Sequence, residues 1–160
     1  MGGIRWVLGN WRVSAEIPGL SRTLHPREVN VSQAVQYGAV IYAKDYRALA
    51  KFYEHVAALT QREAHEEYVL LEARFFQLVI LQTPERIAAG ITIEKPPRKR
   101  DNTPIKLFLN VSSIENARQM AKVLGGELNG REMEWQFRGV KRCDGIDPEG
   151  NVFQLQESPA

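Results

Sequence analysis

The chain has 160 residues, 44% of them hydrophobic and 25% charged, with a formal net charge of +2, the make-up of an ordinary globular domain able to build its own core. So small a charge gives no basis for nucleic-acid binding, which needs a concentrated basic face. The single cysteine, Cys143, excludes an internal disulfide and a thiolate zinc site and fits a reducing, cytoplasmic setting, and no apolar run is long enough to enter a membrane as a spanning helix.

Residues 1–36 show no clear period and are punctuated by glycine, Pro18 and Pro26. They are read as an N-terminal extension for which two states are open: partial disorder, or packing of Trp6 or Trp11 on a neighbour. The apolar run 4–8 is too short for a secretory signal. Arg5, Arg12, Arg22 and Arg27 leave a transit peptide as one alternative, and a start at Val29 or Val31 is another.

Order begins near Tyr37. The β-rich run 39–43 predicts a strand, and Asp45 suits the N-cap of a helix because its carboxylate accepts an orphan backbone N–H. Leu49, Phe52, Tyr53 and Val56 follow at helical spacing, and the helix is expected to end near Leu59 and Thr60. Strands are predicted over 61–64, 68–72 and 75–81, with Thr83 and Pro84 closing the module. The stretch 85–104 reads as a linker, and its segment 96–104 (proline, charge and turn formers) reads as solvated chain rather than a phosphate-binding patch. The pattern then restarts. A strand is expected over 106–111. A helix opens at Ser112, with Glu115 three residues on as in a capping box. It carries an apolar stripe of Ile114, Ala117, Ala121 and Leu124 and stops at Gly125 and Gly126. Strands are predicted over 126–129, 133–138 and 151–156.

Two strand–helix–strand–strand–strand runs therefore stand in tandem, over about 37–84 and 105–158, and Phe-Gln-Leu recurs in the closing strand of each, at 76–78 and 153–155. Two units that each bury one sheet face can share a core. The expected class is α+β, two tandem βαβββ modules forming a curved mixed sheet. Asp147-Pro148-Glu149-Gly150-Asn151-Val152-Phe153-Gln154-Leu155 resembles the D-P-[DE]-G-N-x-x-[EQ]-L ending of the vicinal oxygen chelate superfamily, which includes glyoxalases, bleomycin resistance proteins and extradiol dioxygenases. Ala43-Lys44-Asp45 followed by Phe52-Tyr53 is similar to that superfamily's first-module signature. The motif has a physical basis: Pro148 sets φ and Gly150 tolerates positive φ, so the turn delivers the last strand in a set register.

Strand alternation sorts the faces. Ala39, Ile41, Leu107, Leu109, Val111, Phe153 and Leu155 are expected against the helices. Gly38, Val40, Tyr42, Phe75, Gln77, Val79, Leu81, Lys106, Phe108, Asn110, Val152, Gln154 and Gln156 are expected on the inner, ligand-facing wall. Metal-dependent relatives place His, Gln or Glu at positions that fall, by the resemblance, on Gly38, Gln77, Lys106 and Gln154. Glycine offers no ligand, lysine repels a dication, and two neutral amides alone are a poor site. No metal and no cofactor are therefore expected. His65, within 63–67, reads as part of a hydrated turn. Cys143 has the basic neighbours Lys141 and Arg142, which favour a thiolate, yet reads as incidental.

Two functional readings follow. The first is a metal-free binding protein whose cleft, lined by Tyr42, Gln77, Lys106, Phe108, Asn110 and Gln154, holds a small molecule; Trp135 and Phe137 add surfaces for stacking a flat ligand. The resemblance also implies a homodimer. The second is an enzyme of the same superfamily, a lyase, isomerase or dioxygenase, using an atypical metal site or Lys106 as a base with its pKa lowered by burial.

Overall fold

A computed structural model describes residues 37–157; the predicted N-terminal extension lies outside the described residues. The first module runs β1 (Tyr37–Ala43), α1 (Tyr46–Val56), β2 (Thr60–Ala64), β3 (Tyr68–Ala73) and β4 (Phe76–Gln82). Its strands are ordered β1-β4-β3-β2, with β1 parallel to β4 and the other neighbours antiparallel. A short helix, α2 (Glu85–Ala88), opens the connection. The second module runs β5 (Leu107–Val111), α3 (Ile114–Val123), β6 (Glu127–Leu128), β7 (Trp135–Phe137), β8 (Val140–Ile146) and β9 (Val152–Glu157). Here β5 lies parallel to β9, β9 pairs β8, and both β6 and β7 pair β8. Strands β6 and β7 are one edge strand interrupted by the 3-10 turn Arg131–Met133. The two curved mixed sheets thus wind identically, an α+β architecture.

Sequence reading missed the short helix α2, which falls in the stretch read as a linker, and the strand β8. The residues of β8, Val-Lys-Arg-Cys-Asp-Gly-Ile, mix charges with an interior glycine and have little intrinsic strand preference. It is a strand because neighbours pair with it on both sides. The β7–β8 hairpin turns on Arg138 (φ 51) and Gly139 (φ 75), two consecutive left-handed residues, as a tight two-residue hairpin requires. The strands predicted over 126–129 and 133–138 shrink to β6 and β7, because the 3-10 turn takes the residues between them.

Two helix ends also move. Helix α1 stops at Val56, short of the expected Leu59, because Ala58 adopts φ 52 and turns the chain out. Helix α3 is capped by Ser113, not Ser112: its Oγ accepts from Asn116 N at 3.2 Å. Glu115 is therefore one position too early for a capping box and pairs with Arg118 and Arg131 instead. The free N–H of Ile114 is taken by Glu157 of β9 at 2.7 Å.

The apolar stripes of both helices meet in one core. Leu49, Phe52, Tyr53 and Val56 of α1 and Ile114, Ala117 and Ala121 of α3 pack with Leu71, Leu78, Ile80, Leu109, Phe153 and Leu155. The rings of Phe52, Tyr53 and Phe153 meet edge to face with centroids 5.3, 5.6 and 5.8 Å apart, a favourable quadrupole geometry. A polar latch joins the modules beside them. The Tyr53 hydroxyl donates to buried Asp147 Oδ2 at 3.0 Å, and Asp45 N donates to Glu149 Oε1 at 2.7 Å. Asp147 also accepts from Glu149 N, Asn151 N and Asn151 Nδ2, so the closing motif is a cage built around one carboxylate. Part of the segment expected to be fully solvated docks on this turn: Arg100 donates from N to Gly150 O and from Nε to Glu149 O. The bonds it finds are backbone carbonyls, which composition does not reveal.

Candidate functional site

Because each sheet packs one face onto the shared core, its other face points away from it. In β4, Leu78 and Ile80 are fully buried while Gln77 and Val79 alternate with them. In β1, Ala43 is buried while Val40 and Tyr42 are 56% and 64% exposed. In β5, Leu109 and Val111 are buried while Phe108 is 59% exposed. The predicted sorting of faces by alternation is therefore observed.

The two open faces carry the same polar device at the same register. Gln77 of β4 lies opposite Glu72 of β3, and its Nε2 donates to Glu72 Oε1 at 2.7 Å. Gln154 of β9 lies opposite Asp144 of β8, and its Nε2 donates to Asp144 Oδ1 at 3.0 Å. Each acid is then met by a base, from strand β2 in the first sheet and from the residue just before β5 in the second. Arg62 Nε donates to Glu72 Oε2 at 2.8 Å, and Lys106 Nζ bridges both oxygens of Asp144 at 2.9 Å. The second face adds a feature the first does not share. The Arg142 guanidinium donates from Nη1 to Gln154 Oε1 at 3.1 Å. It sits 4.8 Å from the Phe137 ring centroid and 5.7 Å from that of Phe108, within cation–π range. Trp135 lies opposite Arg142 in the ladder, and Lys106 Nζ is 5.9 Å from its ring. Beside it, Gln156 Nε2 donates to Asn110 Oδ1 at 2.9 Å.

Of the sequence-predicted residues, Lys106, Phe108, Asn110 and Gln154 come together on the second sheet, and Tyr42 and Gln77 lie on the open face of the first. Both sheets turn their helix-facing sides to one core, and the two sets lie on the opposite, open faces, one set on each sheet. Arg142 and Asp144 were missed with β8. The signal was present in the spacing: Val140, Arg142, Asp144 and Ile146 step together around Cys143 and Gly145, both buried. Cys143 faces the core, where burial pushes its thiol pKa up against the pull of nearby Arg118.

The superfamily's metal positions do not fit a dication. Gly38 has no side chain, Lys106 is committed to Asp144, and both glutamines already donate to a carboxylate and are bound within their own ladders. Among the described residues, no group of three His, Cys, Asp or Glu side chains is placed to share an ion. A concavity of about 1100 Å³ lies on the other side of the molecule, among the start of α1, the end of α3 and residues 93–97. Its unlike charges (Lys44, Lys95, Lys122, Glu94, Glu127) are interspersed, so it presents no converging polar set, and the organised chemistry is on the sheets.

Two identically wound βαβββ units sharing a helical core define the vicinal oxygen chelate superfamily, to which glyoxalases, bleomycin resistance proteins and extradiol dioxygenases belong. Within it, the chain belongs to the glyoxalase-like domain family, whose model matches residues 27–156. The fold is similar to a glyoxalase/bleomycin resistance protein/dioxygenase family enzyme from Burkholderia phytofirmans PsJN, with 16% identity, TM-score 0.56 and coverage of 78% of this chain and 98% of that one. It is also similar to the bleomycin resistance determinant encoded on transposon Tn5 (15% identity, TM-score 0.52, 79% and 100% covered). A third is a fosfomycin resistance protein from Mesorhizobium loti (9%, 0.53, 81% and 95%). At these identities the likeness establishes the fold alone. No curated protein sequence matches the chain.

Proposed function

We propose that this protein binds a small organic molecule on its open sheet faces without using a metal, and that it works as a homodimer. The observation that carries the reading is the second sheet. Its outer face holds Phe108, Trp135 and Phe137, respectively 59%, 38% and 51% exposed, around a preorganised row of Lys106, Asp144, Gln154 and Arg142. Exposed aromatics at the edge of an ordered polar row fit the lining of a ligand site better than a solvated surface. The first sheet exposes Tyr37, Val40, Tyr42 and Phe75 in the same way. A second copy that set its first sheet over the second sheet of its partner would cover both and unite Tyr42 and Gln77 with Phe108, Asn110 and Gln154. Catalysis by Lys106 as a base is disfavoured, because both oxygens of Asp144 engage its Nζ and hold it away from a substrate proton. No helix among the described residues is long and apolar enough to cross a membrane, and a cytoplasmic location accompanies this reading.

The test is a fragment screen by NMR on isotope-labelled full-length protein, with light scattering for mass. Hits that shift Phe108, Asn110, Gln154, Tyr42 or Gln77, and a dimer that dissociates on Phe108→Glu, are expected. A monomer, or a screen in which no fragment perturbs either sheet face, would refute the proposal. Stoichiometric metal in protein purified without chelator would overturn its metal-free part.

A further inference from the structure

The charges of the second face do not balance. Lys106 is neutralised by Asp144. Arg142, in the middle of the same face, forms no ion pair among the described residues; its one hydrogen bond goes to a neutral amide oxygen. Its Nε is buried without a hydrogen-bond partner, a state that costs free energy and is offset here by the rings of Phe108 and Phe137 on which the guanidinium lies. A cation held rigid, desolvated on its ring side and paired with no carboxylate among the described residues is half of a charge-assisted contact. The rings around it are themselves exposed. We infer that the second face is a subsite for a flat organic monoanion, an aromatic or conjugated carboxylate, whose carboxylate pairs with Arg142 while its planar body stacks on Phe108, Phe137 and Trp135.

The surroundings select within anions. A planar carboxylate matches the fork of a guanidinium, which Lys106 could not offer even if it were free. Beside the neutral Lys106–Asp144 pair, one unpaired guanidinium matches a single negative charge, which favours a monoanion over a dianion such as a phosphate monoester. The open aromatic rings favour a planar ligand over a short aliphatic acid. This inference rests on the proposed binding function and narrows it to a ligand class and a residue.

The test uses pairs of probes that differ only in charge: cinnamate against cinnamamide, and benzoate against benzamide and benzylamine, titrated into the full-length protein by NMR. The acids are expected to bind at least about tenfold tighter than their amides, a difference of one charge-assisted contact. The acid, not the amide, should weaken as salt is raised. Arg142→Gln should remove the acid's advantage and leave amide binding within about twofold, with Arg142→Lys falling between, since it keeps charge but loses the fork. Lys122→Gln, which deletes the same charge on α3 far from the sheet, should change nothing. Should Arg142→Gln fail to fold, the acid–amide comparison on unaltered protein still decides. Equal binding of acid and amide, or tighter binding of benzylamine, overturns the anion inference while leaving small-molecule binding intact. Absence of binding by probes of every charge removes the underlying reading as well.

Discussion

Tyr53→Phe deletes one oxygen from the latch between the modules and leaves the packed ring in place. The Tyr53 hydroxyl donates to Asp147 Oδ2 at 3.0 Å, both groups being buried. Burial, and then the Asp147 charge and its hydrogen bond, push the Tyr53 pKa well above its ordinary value of 10.0, so the phenol is a donor at all working pH. Hydrogen bonds to charged groups contribute about 1.5–3 kcal/mol net. Oδ2 keeps only Asn151 Nδ2 as a donor in the variant, so a loss of about 2 kcal/mol is expected, equivalent to a Tm drop of roughly 4–8 °C for a chain of this length. The pH dependence has a definite sign. Burial raises the Asp147 pKa above its ordinary value of 3.8, while the hydrogen bonds from Asn151, Tyr53 and the backbone pull it down. With its folded pKa raised, Asp147 contributes stability that is fully present below the unfolded value and fades as pH rises through the folded value. Without the Tyr53 donor the folded pKa rises further, so the native variant holds its proton to higher pH than the native parent. The stability gap between the two must therefore widen as pH rises from about 4 towards neutrality. Differential scanning calorimetry between pH 4 and 7.5 measures both quantities. A Tm change under about 1 °C at neutral pH, or a gap that narrows as pH rises, would refute the claim that this bond holds the modules together.

Ala58→Gly should stabilise the fold, because Ala58 is an exposed residue at φ 52 and glycine relieves a left-handed cost of about 1–2 kcal/mol at a smaller entropic penalty; a Tm rise of roughly 1–3 °C is expected by calorimetry. Gly150→Ala should do the reverse. At φ +81 its new Cβ would also clash with the Arg98 carbonyl oxygen, so the docked connection must shift, and Tm should fall by about 3 °C or more. The Cys143 thiol, buried and shifted up in pKa, should react with a disulfide reagent at the rate of opening of the fold and quickly only in denaturant. Prompt reaction in buffer would place β8 elsewhere.

Periodicity along the chain determined much of this protein by itself. The two helices, the strands β1, β3, β4, β5 and β9 and the sorting of Leu109 from Phe108 follow from spacing, because apolar side chains must reach the core at 3.6-residue or 2-residue intervals. The turn at 147–150 was legible because only a few residues adopt its backbone angles. Strand β8 was not, since Lys-Arg-Cys-Asp-Gly has no local preference and becomes a strand only when β9 and the edge strand supply its hydrogen bonds. The choice of Ser113 over Ser112 was settled by where α3 must sit to meet Glu157. Arg142 gained its ring neighbours, and Tyr53 its carboxylate, from parts of the chain 5 to 94 residues away. Which residues join on an open face was likewise a tertiary matter: alternation says which face a side chain takes, but only strand pairing sets Gln77 opposite Glu72 and Gln154 opposite Asp144.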